Sequence, residues 1–287
     1  MPFRIATVPF LDALPLIDGL NSMPPSAVVL SCGLPSQLAE LLHADEADVA
    51  LLPVVELFRG HGQGFVPGIA IAAHGRADRV KLFTKLAPAS LERIVVDHAA
   101  CTSVALLRIL LAELYDVRPD FHAVRPRAED LFQTGEAALV VGDHCYETEK
   151  GLRNESCNGV QSVDLVDLWL KMTGLPFVFS VWTLGPAYTM RASAGEQKEL
   201  FRMLIQARDH GLAQRGVIAE REAAAGRLGP GGQSTAEAIS HHLMHSLKYV
   251  LGEQEMAGLR RFYELCLHHN ICPSGHPPEL AAAGRGD

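Results

Sequence analysis

RIATVPFLDALPL, residues 4–16, holds a strand, a turn and a helix start in one short run. Residues 3–8 are largely apolar and read as a buried strand, and Leu14 to Leu20 reads as a helix with Pro15 in its first turn, where a missing N–H is tolerated. Pro9 and Pro15 thus fix a strand-to-helix turn, and the lone acid between them, Asp12, stands beyond the strand's carboxyl end. An acid there is either a turn or N-cap residue or a ligand contact, and the local pattern leaves both readings open.

Outward from this stretch the alternation continues. Val28 to Cys32 reads as a strand, Pro35 opens a helix, and Ala47 to Pro53 is an apolar run suited to a central parallel strand, giving a βαβαβ order. Gly68 to Lys85 reads as two strands about a turn at His74-Gly75-Arg76. Arg93 starts a further strand, Thr102 to Tyr115 is an amphipathic helix, Ala137 to Asp143 is a strand, and a helix lies around Val163 to Met172. An aromatic strand, Leu175 to Trp182, precedes a largely helical stretch to about His269, and the final fifteen residues read as a frayed tail. Two α/β units in tandem predict an α/β fold of two lobes around a central cleft. The expected boundaries are 1–88 with 183–287 for lobe I and 89–182 for lobe II. In open α/β sheets ligands bind beyond the carboxyl ends of strands, against helix N-termini.

Composition narrows the function. The 287 residues are 48% hydrophobic, enough apolar material to fill the cores of two lobes. A formal net charge of −8 and no Lys/Arg run argue against a nucleic-acid partner. No apolar run approaches the ~18 residues of a membrane span, and Pro9, Asp12 and Pro15 interrupt any signal-peptide core, so a cytoplasmic location is expected. Cys32, Cys101, Cys145, Cys157, Cys266 and Cys272 form no C-x-x-C pair, which favours reduced thiols over a zinc site. His241, His242, His245, His268 and His269 lack an H-E-x-x-H frame and read as surface histidines. Neither a metal nor an organic cofactor is expected.

Several positions remain as candidate contacts. Ala100-Cys101-Thr102-Ser103 lies between a strand and a long helix, so its amides and the Thr102 and Ser103 hydroxyls either gather around an anion or form a plain cap. With no G-x-x-x-x-G-K-[ST] cradle, that anion is a carboxylate rather than a phosphate. Ser36 marks a similar, weaker helix start. Gly142-Asp143 ends a strand, where Gly permits close backbone approach and Asp accepts a hydrogen bond. Arg79 is either a bidentate carboxylate clamp or a solvated side chain.

Five blocks in order, RIATVPFLDALPL, DVALLPVVE (48–56), CTSVALLRILL (101–111), ALVVGD (138–143) and MTGLPFVFSVW (172–182), resemble the chorismate dehydratase family of the futalosine route to menaquinone. The resemblance runs from about residue 4 to 272 and implies a periplasmic-binding-protein-like (type II) fold. It also implies a hydro-lyase that takes a small anionic substrate, chorismate, to 3-enolpyruvylbenzoate. A sister family in the same route carries His-Glu where this chain has Gly142-Asp143, which favours the dehydratase branch. The resemblance places Pro53 and Val54 at the substrate, with Val54 where the family usually has Ser, Asp12 where it has Asn, and Arg79 where it has Ser. Asp12 is then the catalytic candidate. Facing a dianion at about 4 Å and an effective dielectric near 20, an ionised Asp12 meets roughly 4 kcal/mol of repulsion, so it must be compensated or protonated. The expected compensation is a pairing with Arg79; a protonated Asp12 would instead serve as a general acid. The substrate's side-chain carboxylate is the candidate base. Alternatives are a non-catalytic binding protein for a small carboxylate, or an enzyme of this fold acting on another organic acid.

Overall fold

A computed structural model describes residues 1–97, 100–124, 136–152, 159–229 and 232–281. The first four strands are β1 (Phe3–Thr7), β2 (Val28–Cys32), β3 (Val49–Pro53) and β4 (Phe65–Ala73). They are followed by β5 (Val80–Thr84), β6 (Arg93–Asp97), β7 (Asp120–Val124), β8 (Ala137–Val141), β9 (Gln161–Asp164) and β10 (Phe177–Leu184). They form two five-stranded sheets, in the orders β2-β1-β3-β10-β4 and β7-β6-β8-β5-β9. The plan repeats: β1 runs parallel to β2 and β3, β6 runs parallel to β7 and β8, and β10 and β5 are the antiparallel strands beside those triplets.

Between and beyond the strands lie α1 (Leu14–Asn21), α2 (Pro35–His43), α3 (Val54–Phe58), α4 (Cys101–Tyr115), α5 (His144–Leu152) and α6 (Leu165–Thr173). The C-terminal part supplies α7 (Pro186–Arg191), α8 (Ala194–Ala213), α9 (Arg215–Ala224), α10 (Ala236–His241), one π-helical turn (His242–Ser246) and α11 (Glu253–His268). No helix among the described residues is long and apolar enough to cross a membrane.

The lobe boundaries differ from the sequence expectation. β4 and β5 do not pair with each other: β4 lies in the first sheet beside β10, and β5 lies in the second between β8 and β9. The first crossing therefore falls between Ala73 and Val80 rather than after residue 88, and β10 returns the chain to the first sheet before Phe177 rather than after Trp182. A Gly turn (Gly75, φ +96°) reads alike whether its flanking strands pair or part. The tail also differs: the Ala281 N–H donates to the Phe65 carbonyl at 2.8 Å, which docks the chain on β4. Residues 282–287 of that tail and Cys157 lie outside the described residues.

Two features hold the opening turn. Arg4 ties β1 to the approach of β3, its backbone N–H donating to Asp48 Oδ2 at 2.8 Å and its guanidinium to Asp48 Oδ1 at 2.7 Å. Helix α8 crosses α1 so closely at Gly211 that any Cβ there would collide with the Pro15 carbonyl. β3 and β5 are buried along their whole lengths, and Trp169, Phe177 and Phe262 pack edge to face between α6, β10 and α11.

Candidate functional site

The carboxyl ends of β1, β3 and β8 and the first turns of α2 and α4 converge on a cavity of about 190 Å³. Its apolar wall includes Val8, Phe10, Ile71, Phe179 and Leu247. Six sequence candidates line it: Asp12, Pro53, Arg79, Thr102, Ser103 and Gly142. Ser36 does not: at α2 the inward places belong to Leu34 and Pro35, and Gln37 Oε1 accepts from the Leu34 N–H at 2.9 Å, so Ser36 is neither lining residue nor cap. Val54 is fully buried at the start of α3, behind Pro53. Asp143 lies behind Arg79 rather than on the cavity wall.

Arg79 is the centre of the charge arrangement. Its side chain is 2% exposed; Nε lies 2.8 Å from Asp12 Oδ1 and Nη2 lies 2.6 Å from Asp143 Oδ1. The expected pairing of Asp12 with Arg79 is therefore present. Both are close charge contacts with bent N–H directions, and none of the three guanidinium nitrogens makes a well-directed hydrogen bond among the described residues. The guanidinium carbon also stands 5.4 Å from the centre of the Tyr146 ring. Arg227 completes the chain of charges, with Nη1 at 2.9 Å from Asp143 Oδ2 and Nε at 3.0 Å from Glu222. Gly142 sits at φ +67°, and its backbone N–H donates to the Arg79 carbonyl at 2.8 Å.

Asp12 lies in a short 3₁₀ turn, Leu11–Ala13, and caps no helix. Burial alone would raise its pKa, but the Arg79 guanidinium and the His242 hydrogen bond reverse this and hold it below the ordinary carboxylate range. That direction favours the ionised, Arg79-paired form of Asp12 over the protonated acid. His242, expected at the surface, is fully buried with Nε2 at 3.0 Å from Asp12 Oδ1. His241 and His245 remain exposed. Because Oδ1 takes both contacts, Oδ2 is the oxygen without a partner among the described residues.

Helix α4 begins without a side-chain cap, since its N-cap is Ala100 and the Thr102 Oγ1 instead accepts from the Val55 N–H at 3.5 Å. Its first turn, Ala100 to Ser103, forms one wall of the cavity and brings the positive end of a 15-residue helix there. Burial pushes the Cys101 thiol up to about 11, with Glu56 adding to the rise, so it is neutral. His144, which no sequence pattern singled out, also lines the cavity and has its Nδ1 2.8 Å from Glu147. The one described group that could gather metal donors, Glu113 with His268 and His269, lines no part of this cavity.

Paired sheets of this order, with a mainly apolar cavity lined by a buried guanidinium and a helix N-terminus, define a periplasmic-binding-protein-like α/β protein. Its structural relatives agree on the fold. The AF1704 protein of Archaeoglobus fulgidus superposes with a TM-score of 0.72 at 14% identity, over 94% of this chain and 98% of that one. The periplasmic aliphatic sulphonate binding protein SsuA of Escherichia coli superposes with a TM-score of 0.60 at 13% identity, over 99% and 94%. In sequence, residues 3–268 match the family model described as menaquinone biosynthesis, and the chain belongs to that family. It is 30% identical over 242 residues to the chorismate dehydratase of Thermus thermophilus, covering 80% of this chain and 84% of the relative.

Proposed function

We propose that this chain is a cytoplasmic carbon–oxygen lyase that dehydrates chorismate to 3-enolpyruvylbenzoate without a metal or organic cofactor. The observation that carries the reading is Arg79, a buried cation on the cavity wall whose guanidinium makes no well-directed hydrogen bond among the described residues, lining the same cavity as an uncapped helix start. A dianion fits this pair of donors: one carboxylate lies against the Arg79 guanidinium, and the other takes the α4 amides with the Thr102 and Ser103 hydroxyls. Membership of a menaquinone-biosynthesis family and the likeness to a chorismate dehydratase support the substrate.

Asp12, being ionised, accepts the hydrogen bond of the C4 hydroxyl through Oδ2 and fixes its direction. The C3 proton passes to the substrate's own side-chain carboxylate, which reaches it through a six-membered arrangement. The C–H electron pair forms the C3–C4 double bond, the C4–O bond breaks, and the proton returns to the leaving oxygen as water. Aromatisation drives the step, so the protein's work is to orient the dianion and exclude water.

The test is purified protein with chorismate, following the aromatic product by absorbance and chromatography. Turnover is expected. Asp12→Asn keeps an acceptor and should stay within about tenfold of the parent kcat, whereas Asp12→Leu should lose about 10²-fold. Thermal stabilisation by chorismate without product would overturn the lyase reading in favour of a binding protein.

A further inference from the structure

We propose that His242 is the positioning residue of Asp12, the middle of a chain from Tyr146 through His242 to Asp12 that leaves one carboxylate oxygen for the substrate. The inference rests on the role given to Asp12 above. His242 lines no part of the cavity and so acts only through its neighbour. It opens the π-helical turn His242–Ser246, a local widening that turns its ring inward while His241 and His245 stay exposed.

The geometry assigns the protons. Tyr146 Oη lies 3.4 Å from His242 Nδ1, and the two rings meet edge to face with centroids 6.2 Å apart. Burial pushes the Tyr146 phenol above its ordinary range, so it keeps its proton and donates. Nδ1 is then the acceptor, which puts the ring hydrogen on Nε2, facing Asp12 Oδ1 at 3.0 Å. A neutral imidazole of that tautomer satisfies both neighbours at once. The charged groups around the ring are Asp12, Arg79 and Asp78; burial, assisted by Arg79, keeps His242 below the ordinary histidine range against the pull of Asp12.

The consequence for the site is directional. Oδ1 is held from two sides, by Arg79 Nε at 2.8 Å and by His242 Nε2, so the carboxylate cannot rotate without breaking both contacts. Oδ2 alone is offered to the cavity. Tyr146 belongs to α5, packed against the second sheet, whereas Asp12 follows β1 of the first, so the chain is complete only with the lobes together.

The experiment compares the parent with His242→Gln, which retains an N–H donor, and His242→Leu, which fills the space without one. Two readouts are taken: the pH profile of chorismate turnover, and the Asp12 titration by NMR of protein carrying ¹³C-labelled aspartate. Loss of the donor removes an interaction that favours the ionised carboxylate, so His242→Leu should raise the Asp12 midpoint and move the acid limb of kcat/KM to higher pH. It should also lower kcat about tenfold or more with KM within about threefold, and His242→Gln should recover most of kcat. An unmoved Asp12 midpoint and an unmoved acid limb in His242→Leu, with only Tm lowered, would overturn the proposal. Should His242→Leu not fold, Tyr146→Phe tests the same chain. With Asp12 still accepting, the variant's ¹⁵N spectrum should show His242 as the neutral Nε2–H tautomer, and an Nδ1–H tautomer, in the parent or in this variant, overturns the assignment. A parent that does not turn over chorismate counts against the substrate reading, and the titration still decides the role of His242.

Discussion

At position 79 a full positive charge lies inside the protein between two carboxylates, and its removal is the sharpest single-residue test of the site's energetics. Arg79→Met would keep the volume of the stem but leave Asp12 and Asp143 facing each other without a cation in a largely desolvated setting. A buried pair broken from one side costs about 3–5 kcal/mol, much of it the penalty on the charges left behind, and denaturant unfolding at neutral pH should show a loss of that order. Arg79→Lys would restore less than the charge count suggests, because a point ammonium cannot reach Asp12, Asp143 and a substrate carboxylate in one plane. An unchanged unfolding midpoint in Arg79→Met would mean that the pair is not closed in solution. The Asp12–Arg79 contact was legible in the sequence because a lone acid in an anion site requires a counter-charge. His242 was not, because its burial depends on one π turn that no spacing rule announces, and Arg227 was not, because a lone arginine before a Gly-rich break carries no pattern.

Among the elements, α4 carries the clearest division of labour. Its apolar positions fix it against the neighbouring helices, while its first turn, without a side-chain cap, lines the cavity. Ser103 is buried on the cavity wall, so Ser103→Ala removes one hydroxyl donor without disturbing the helix. One hydrogen bond to a charged group is worth about 1.5–3 kcal/mol, so KM for chorismate should rise about tenfold or more with kcat within about threefold. A fall in kcat at constant KM would place Ser103 at the reacting atoms instead. The long periodic helices were readable from their 3.6-residue period, and strands β1, β2, β3, β6, β8 and β10 from short, largely apolar runs, although β2 buries only Val28. Strands β7 and β9 and helices α3 and α5 were missed. β7, β9 and α3 span five residues or fewer, and β9 runs directly into α6, so there is no boundary signal to read. The parting of β4 from β5 was illegible for another reason: sheet membership is decided by β10 and β8, far along the chain.

At the scale of the whole molecule, the buried Asp12–Arg79 pair joins the ends of β1 and β5 from the two sheets, and Arg227 adds a second polar tie nearer the surface. Its Nη1 reaches Asp143 after β8 at 2.9 Å and the Pro9 carbonyl after β1 at 3.3 Å, so one side chain holds the carboxyl ends of strands from both sheets. Thr102 with the Val55 N–H makes a further, longer link at 3.5 Å. Arg227 and Asp143 are each about a quarter exposed, so solvent and salt screen the pair and Arg227→Ala should cost no more than about 1 kcal/mol of global stability. Its effect on the closed state should be larger than its effect on folding. With the tie removed, Asp143 loses one of its two cationic partners, Arg79 is less firmly held, and the lobes spend more time apart. Chorismate must then supply the closing energy from its own contacts, which raises KM. We therefore expect Arg227→Ala to raise KM about tenfold, leave kcat at saturation within about threefold, and increase the radius of gyration of the ligand-free protein by scattering, with chorismate restoring the parent value. A variant with parent KM and an unaltered radius of gyration would show that the cavity closes without Arg227, and the Arg227–Asp143 contact would then be a passenger of closure rather than its latch.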